Sequence, residues 1–132
     1  MKSEKVFVYG TLRKDFALPL LEQLGDTIRF VGVGKVEGTL YDIGDYPGAV
    51  KNSKEPSIIG DVFDVDDSNR VFWILDEYEG SEYSREEVTV KMNNGDEVTA
   101  WIYWYNGETK DDLRIKGSDY LEYLKSKKDG FV

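Results

Sequence analysis

The 132-residue chain, 40% hydrophobic and 14% aromatic, has the size of one domain and enough apolar side chain to fill a core. Its 17 Lys and Arg against 26 Asp and Glu give a formal charge of −9, which phosphate backbones and anionic lipid surfaces repel, so neither nucleic acid nor membrane is expected as a partner. With no cysteine and no histidine, the chain lacks the parts for a disulfide scaffold, Cys/His or Ser/His/Asp hydrolysis, and thiolate or imidazole zinc sites. Proton transfer is left to Asp, Glu, Lys or Tyr.

No apolar run approaches the roughly 18 residues of a transmembrane helix. Met1-Lys2-Ser3-Glu4-Lys5 leads directly into a strand pattern and lacks the apolar core of a signal peptide. The expectation is one cytoplasmic domain over 1–132, with 125–132 a loose tail.

Lys5-Val6-Phe7-Val8-Tyr9 is a β-branched and aromatic run closed by Gly10, which predicts a strand buried on both faces. The loop Gly10-Thr11-Leu12-Arg13 follows. Asp15 is an N-cap candidate for a short helix through Leu18, Leu20, Leu21 and Leu24, with Gly25 past its end.

Four β segments are then expected, over 28–33, 35–41, 48–51 and 57–65, with glycine and proline as the breaks. Asp66-Asp67-Ser68 offers caps for a helix whose apolar residues Val71, Ile74, Leu75 and Tyr78 fall at helical spacing and which ends at Gly80.

The alternation Val88, Val90, Met92 predicts a strand over 83–92, and Asn94-Gly95 turns it into an antiparallel partner over 98–105. Residues 106–116 read as a loop, and Ser118 caps a short final helix carrying Tyr120, Leu121 and Leu124. Strands with two or three scattered helices indicate an α+β fold, with a curled sheet or barrel to protect the edges.

Two places concentrate chemistry. At Tyr9-Gly10-Thr11-Leu12 a strand stops at glycine, where backbone N–H groups can approach an anion or a carbonyl oxygen; a plain tight turn accounts for the residues equally well. No phosphate-loop spacing is present.

Val71, Leu75 and Glu79 are spaced i, i+4, i+8, so Glu79 extends the buried row of its helix while Asp76 and Glu77 point more toward solvent. A partly desolvated carboxylate at a helix C-terminus has a raised pKa, as a general base near neutral pH requires; an exposed helix-end residue is the competing reading.

Tyr83 and Arg85 share one face of the next strand, where Arg85 is placed to hold Glu79 or a substrate carboxylate, or to form a surface ion pair. The corner from Tyr41 to Gly48 reads either as a structural turn or as the wall of a small pocket.

In order, VFVYGTLR, LYDIGDYPGAV, LDEYEGSEYSREEV and IKGSDYLEY resemble the gamma-glutamylcyclotransferase-like proteins, a family that includes gamma-glutamylamine cyclotransferases and AIG2-like proteins. The resemblance runs over about residues 5–124. It implies a small mixed β-barrel flanked by helices, a cofactor-free cavity beside the YGTL loop, and a glutamate as proton acceptor.

Residue by residue, Tyr9, Gly10, Thr11 and Leu12 match the family's substrate-binding loop and Glu79 its catalytic glutamate. Tyr83 and Arg85 match a Y-x-R that supports the cavity. Tyr120 stands where related proteins often carry Trp.

The activity so implied is release of 5-oxoproline from a gamma-glutamyl amine or amino acid. The alternatives are a non-catalytic binding module on the same fold, or removal of a gamma-glutamyl group from a biosynthetic intermediate.

Overall fold

The computed structural model describes residues 4–9, 23–43, 47–51, 57–110, 114, 115, 119, 120, 122 and 123. Its strands are β1 (Glu4–Val8), β2 (Ile28–Glu37), β3 (Thr39–Asp42), β4 (Pro47–Val50), β5 (Ser57–Val65), β6 (Tyr83–Met92) and β7 (Glu97–Tyr105), with one long helix, α1 (Ser68–Glu79), between β5 and β6.

β1, β5, β2, β6 and β7 close, in that order, into a barrel. Its neighbours are antiparallel except β1 and β7, which meet in parallel at Val6 and Trp101. β3 and β4 form a separate two-stranded sheet. A closed barrel leaves no strand edge open to another chain, and the mixed α+β barrel is the architecture the sequence motifs imply.

β1 shows why the barrel needs covering on both sides. Val6, Phe7, Val8 and Tyr9 are all buried. Phe7 and Tyr9 belong to the barrel interior with Val36, Ile58, Val62, Val90, Ala100, Ile102 and Trp104, a cluster that extends to Leu40 and Ala49 of the small sheet and to Ile115 and Tyr120. Val6 and Val8 belong to a second cluster on the outer face, beneath Val71, Phe72 and Leu75 of α1. The continuous apolar run thus fills two cores at once.

Residues 28–37 form one strand rather than two separated at Gly34. A Cβ at Gly34 would sit 2.5 Å from Val90 Cγ1 and 3.1 Å from the Lys91 carbonyl oxygen. Gly34 is therefore the close approach at which β2 meets β6, where it pairs with Met92. The break falls at Gly38 instead.

α1 begins after Asp67, as expected, but without a side-chain cap: Asp67 is left-handed, with φ 51° and ψ 54°. Asp66 instead donates its N–H to Thr27 O at 2.7 Å and pairs with Arg29 at 3.1 Å. Gly80 closes the helix at φ 84°, a conformation glycine takes readily, and donates its N–H to Asp76 O at 3.0 Å.

The segment read as a loop before the last helix returns to β3. Arg114 bridges to Tyr41, and Ile115, which is buried, donates its N–H to Leu40 O at 2.9 Å. At the final helical turn Asp119 accepts the Glu122 N–H at 3.4 Å, and the expected cap Ser118 lies outside the described residues. Tyr120 is buried and stacks on Tyr123. The helix expected from Asp15 and the tail 125–132 lie outside the described residues, apart from helical Gln23 and Leu24.

Candidate active site

α1 buries Val71 and Leu75 at 0% and 2% exposure, and Glu79, one turn further along the same row, is half-buried. The helical period therefore delivers a carboxylate to the edge of a core. Burial raises its pKa to about 7, and no charge partner among the described residues opposes that shift.

Tyr9 and Tyr103 feel its charge, and Tyr83 in turn acts on Tyr9. Tyr9 follows β1 and donates its hydroxyl to Tyr103 O at 2.6 Å, while the same oxygen accepts the Ala49 N–H at 3.2 Å. Burial drives the Tyr9 phenol well above its usual range, and the charges of Glu79 and Tyr83 add to the effect. Tyr83, at the start of β6, donates to Pro47 O at 2.9 Å and packs against Tyr105. Tyr103 of β7 donates to Asp76 Oδ1 at 2.7 Å; its phenol is also raised, first by burial and then by the Asp76 hydrogen bond.

Arg85 is not paired with Glu79. Its Nε lies 3.0 Å from Asp76 Oδ1 and a second guanidinium nitrogen 3.3 Å from Oδ2, a two-point pairing that uses both carboxylate oxygens. The guanidinium also stacks on Phe72 and Trp101, 4.4 Å and 4.7 Å from their ring centroids. A cavity of about 370 Å³ opens here, lined by Asp76, Gly80, Tyr83, Arg85, Trp101 and Tyr103.

The structure thus brings Tyr9 within electrostatic reach of both Glu79 and Tyr83, and pairs Arg85 with Asp76. Tyr41 lies in β3, opposite Gly48 and bridged to Arg114. Gly10, Thr11 and Leu12 lie outside the described residues.

Asp76 and Tyr103 were not among the sequence candidates. Asp76 is exposed, as its position suggested, yet it anchors two other side chains. Counting outward from a two-residue Asn94-Gly95 turn sets Trp104 opposite Arg85; the observed turn closes between Met92 and Asp96, which shifts the register by one and brings Tyr103 opposite Arg85 instead.

Among the described residues, no group of three or more Asp and Glu is arranged to hold a metal ion, and no helix is long and apolar enough to cross a membrane.

A family profile described as gamma-glutamyl cyclotransferase, AIG2-like, matches residues 6–122. The chain is 33% identical over 125 residues to a protein of Methanocaldococcus jannaschii provisionally named gamma-glutamylcyclotransferase, covering 91% of this chain and 98% of that one. A Vibrio cholerae protein with the same provisional name is 34% identical over 117 residues, covering 89% and 95%. Among solved structures, YkqA from Bacillus subtilis superposes with a TM-score of 0.77 at 26% identity; the match covers 97% of this chain and 43% of that longer one.

Proposed function

The chain belongs to the gamma-glutamyl cyclotransferase, AIG2-like family, and from that premise we propose that it converts a gamma-glutamyl amine or gamma-glutamyl amino acid to 5-oxoproline and the free amine. The observation that carries this reading is Glu79: a half-buried carboxyl with a pKa of about 7, beside Tyr9 at the end of β1. At neutral pH such a group accepts and returns a proton with little cost in either direction.

In the proposed reaction the substrate's α-amine attacks its own γ-carbonyl carbon. Glu79 takes one proton from the ammonium so that the amine can attack, the new N–C bond closes a five-membered ring, and the C–N bond to the leaving amine breaks as Glu79 returns that proton to the leaving nitrogen; the second proton shed by the ring nitrogen passes to the departing amine, which leaves as its ammonium ion. Attack within one molecule needs no side-chain nucleophile, in keeping with a chain that has no cysteine or histidine. What the site must supply is the folded substrate conformer and the proton.

Tyr9 suits the role of a fixed wall, because its hydroxyl already donates to Tyr103 O and accepts from Ala49 N–H, and its raised pKa keeps it protonated. We assign the backbone N–H groups of Gly10, Thr11 and Leu12 to the substrate's oxygens, as the family loop implies. Tyr83 and Tyr41 are assigned to the pocket wall, and Arg85 to its support through Asp76.

The test is 5-oxoproline release from a panel of gamma-glutamyl amines, gamma-glutamyl amino acids and glutathione, with native protein and Glu79→Gln. Release that vanishes in the variant supports the reading. Full turnover by Glu79→Gln would sink the role given to Glu79, and no release from any panel member would favour a binding module on the same fold.

A further inference from the structure

Glu79 is the last residue of α1, where helices fray because the final carbonyls have no intrahelical partner. A proton-transfer group must nonetheless hold its place to within a fraction of an ångström. What holds this helix end is Asp76, one turn earlier. Its backbone oxygen accepts the Gly80 N–H at 3.0 Å. Its carboxylate takes the Arg85 guanidinium from β6 at 3.0 Å and 3.3 Å and the Tyr103 hydroxyl from β7 at 2.7 Å.

Tyr103 continues the connection. Its side chain holds Asp76 while its backbone oxygen, 2.6 Å from the Tyr9 hydroxyl, holds Tyr9. One β7 residue thus ties the helix end that carries Glu79 to the strand end that carries Tyr9.

We propose that Asp76 is the positioning residue of this site: by holding Arg85 and Tyr103 it fixes the last turn of α1 and with it the burial of Glu79. The proposal rests on the cyclotransferase reading only for its kinetic arm. Among the described residues, the groups that feel the Glu79 charge are Tyr9, just after β1, and Tyr103 of β7, while Asp76 and Arg85 pair with each other and Glu82 in the following turn is exposed. Burial is what raises the Glu79 pKa. Loss of the Asp76 carboxylate unties the helix end, admits water to Glu79 and favours its ionised form.

The experiment is an NMR titration of the Glu79 side-chain carboxyl, with 13C-labelled glutamate and assignment by Glu79→Gln, in native protein, Asp76→Asn and the double variant Asp76→Asn/Arg85→Met. The expected result is a midpoint near 7 in the native protein. In Asp76→Asn, proton affinity falls on the order of tenfold, and it stays low in the double variant, whose helix end is likewise untied.

On a panel substrate, kcat of Asp76→Asn falls roughly 10- to 100-fold, with KM changed less. The double variant stays slow because the helix end is still untied. Should Asp76→Asn fail to fold, Tyr103→Phe removes one of the three side-chain bonds and carries the same test with a smaller shift.

A Glu79 midpoint unchanged in Asp76→Asn, or in Tyr103→Phe if it stands in, overturns the proposal. So does turnover within about twofold of native in the variant that folds. If native protein releases no 5-oxoproline, the functional reading fails by itself, and the titration still decides the role of Asp76.

Discussion

The β6–β7 hairpin has two faces made by the same two strands in one unbroken register, and they do different work. On the inner face Val90, Met92, Ala100, Ile102 and Trp104 are all buried in the barrel. On the outer face Arg85 and Tyr103 meet the Asp76 carboxylate of α1 through a guanidinium and a hydroxyl, with Tyr83 and Trp101 packed alongside and the Tyr83 hydroxyl turned to Pro47 O of β4. Alternation puts every second residue on each face, so a single strand can carry packing on one side and proton chemistry on the other without either pattern disturbing the next residue. The inner face is stabilised by area removed from water; the outer face holds groups whose value lies in position and charge.

The difference is broken most sharply by substitutions that move one property alone. Glu79→Gln keeps the volume and removes the proton-carrying group. Turnover should fall by about 10²- to 10⁴-fold while the thermal transition stays cooperative; a variant that lost its fold instead would place Glu79 on the packing side of the comparison. Ile102→Ala, fully buried on the inner face, should behave in the opposite way. A loss of about 2–5 kcal/mol in denaturant unfolding is expected, with kcat near native at temperatures where the variant remains folded.

Tyr9 sits on the seam. Its ring packs in the barrel interior, yet its hydroxyl reaches the Tyr103 carbonyl on the other core. Tyr9→Phe keeps the ring and leaves a buried carbonyl and the Ala49 N–H without that partner. It should cost about 1–3 kcal/mol in stability. If the hydroxyl only holds the wall, the acidic limb of the rate profile stays where it was; a displaced limb would mean that the phenol takes part in proton transfer.

The two faces were not equally legible in the sequence. The inner face follows from alternation and from the Asn94-Gly95 turn, which place the hairpin and its buried residues from local pattern alone. β1 and α1 were readable for the same reason: a run with no polar break, and a row at i, i+4, i+8 that predicted where Glu79 lies.

The outer face depends on contacts between elements distant in sequence. Arg85 and Asp76 are nine residues apart across a helix end, and Tyr103 and Asp76 are 27 apart. Spacing ranked Asp76 as a solvated acid because no local rule reports what a later strand presents to it. Gly34 misled for the complementary reason: glycine marks a chain break in a local reading, but here it marks the approach of another strand.

The smallest effect expected is also the one that tests whether Glu79 works against the fold it belongs to. Its folded pKa of about 7 lies above the ordinary 4.5, so the native state binds the proton more tightly than the unfolded chain does. The sign follows from linkage: stability is greatest below about pH 4.5 on this group's account, declines as pH rises, and has lost the whole contribution above about pH 7. Half-burial leaves the carboxylate partly solvated, so the slope is shallow. Glu79→Gln carries no such charge, and the difference in melting temperature between variant and native should therefore widen in the variant's favour from pH 5 to pH 8, as turnover moves the other way. A difference that stays flat across that range would mean that the carboxylate ionises in the fold as it does in water, and the outer face would then lack the raised group on which its proposed chemistry depends.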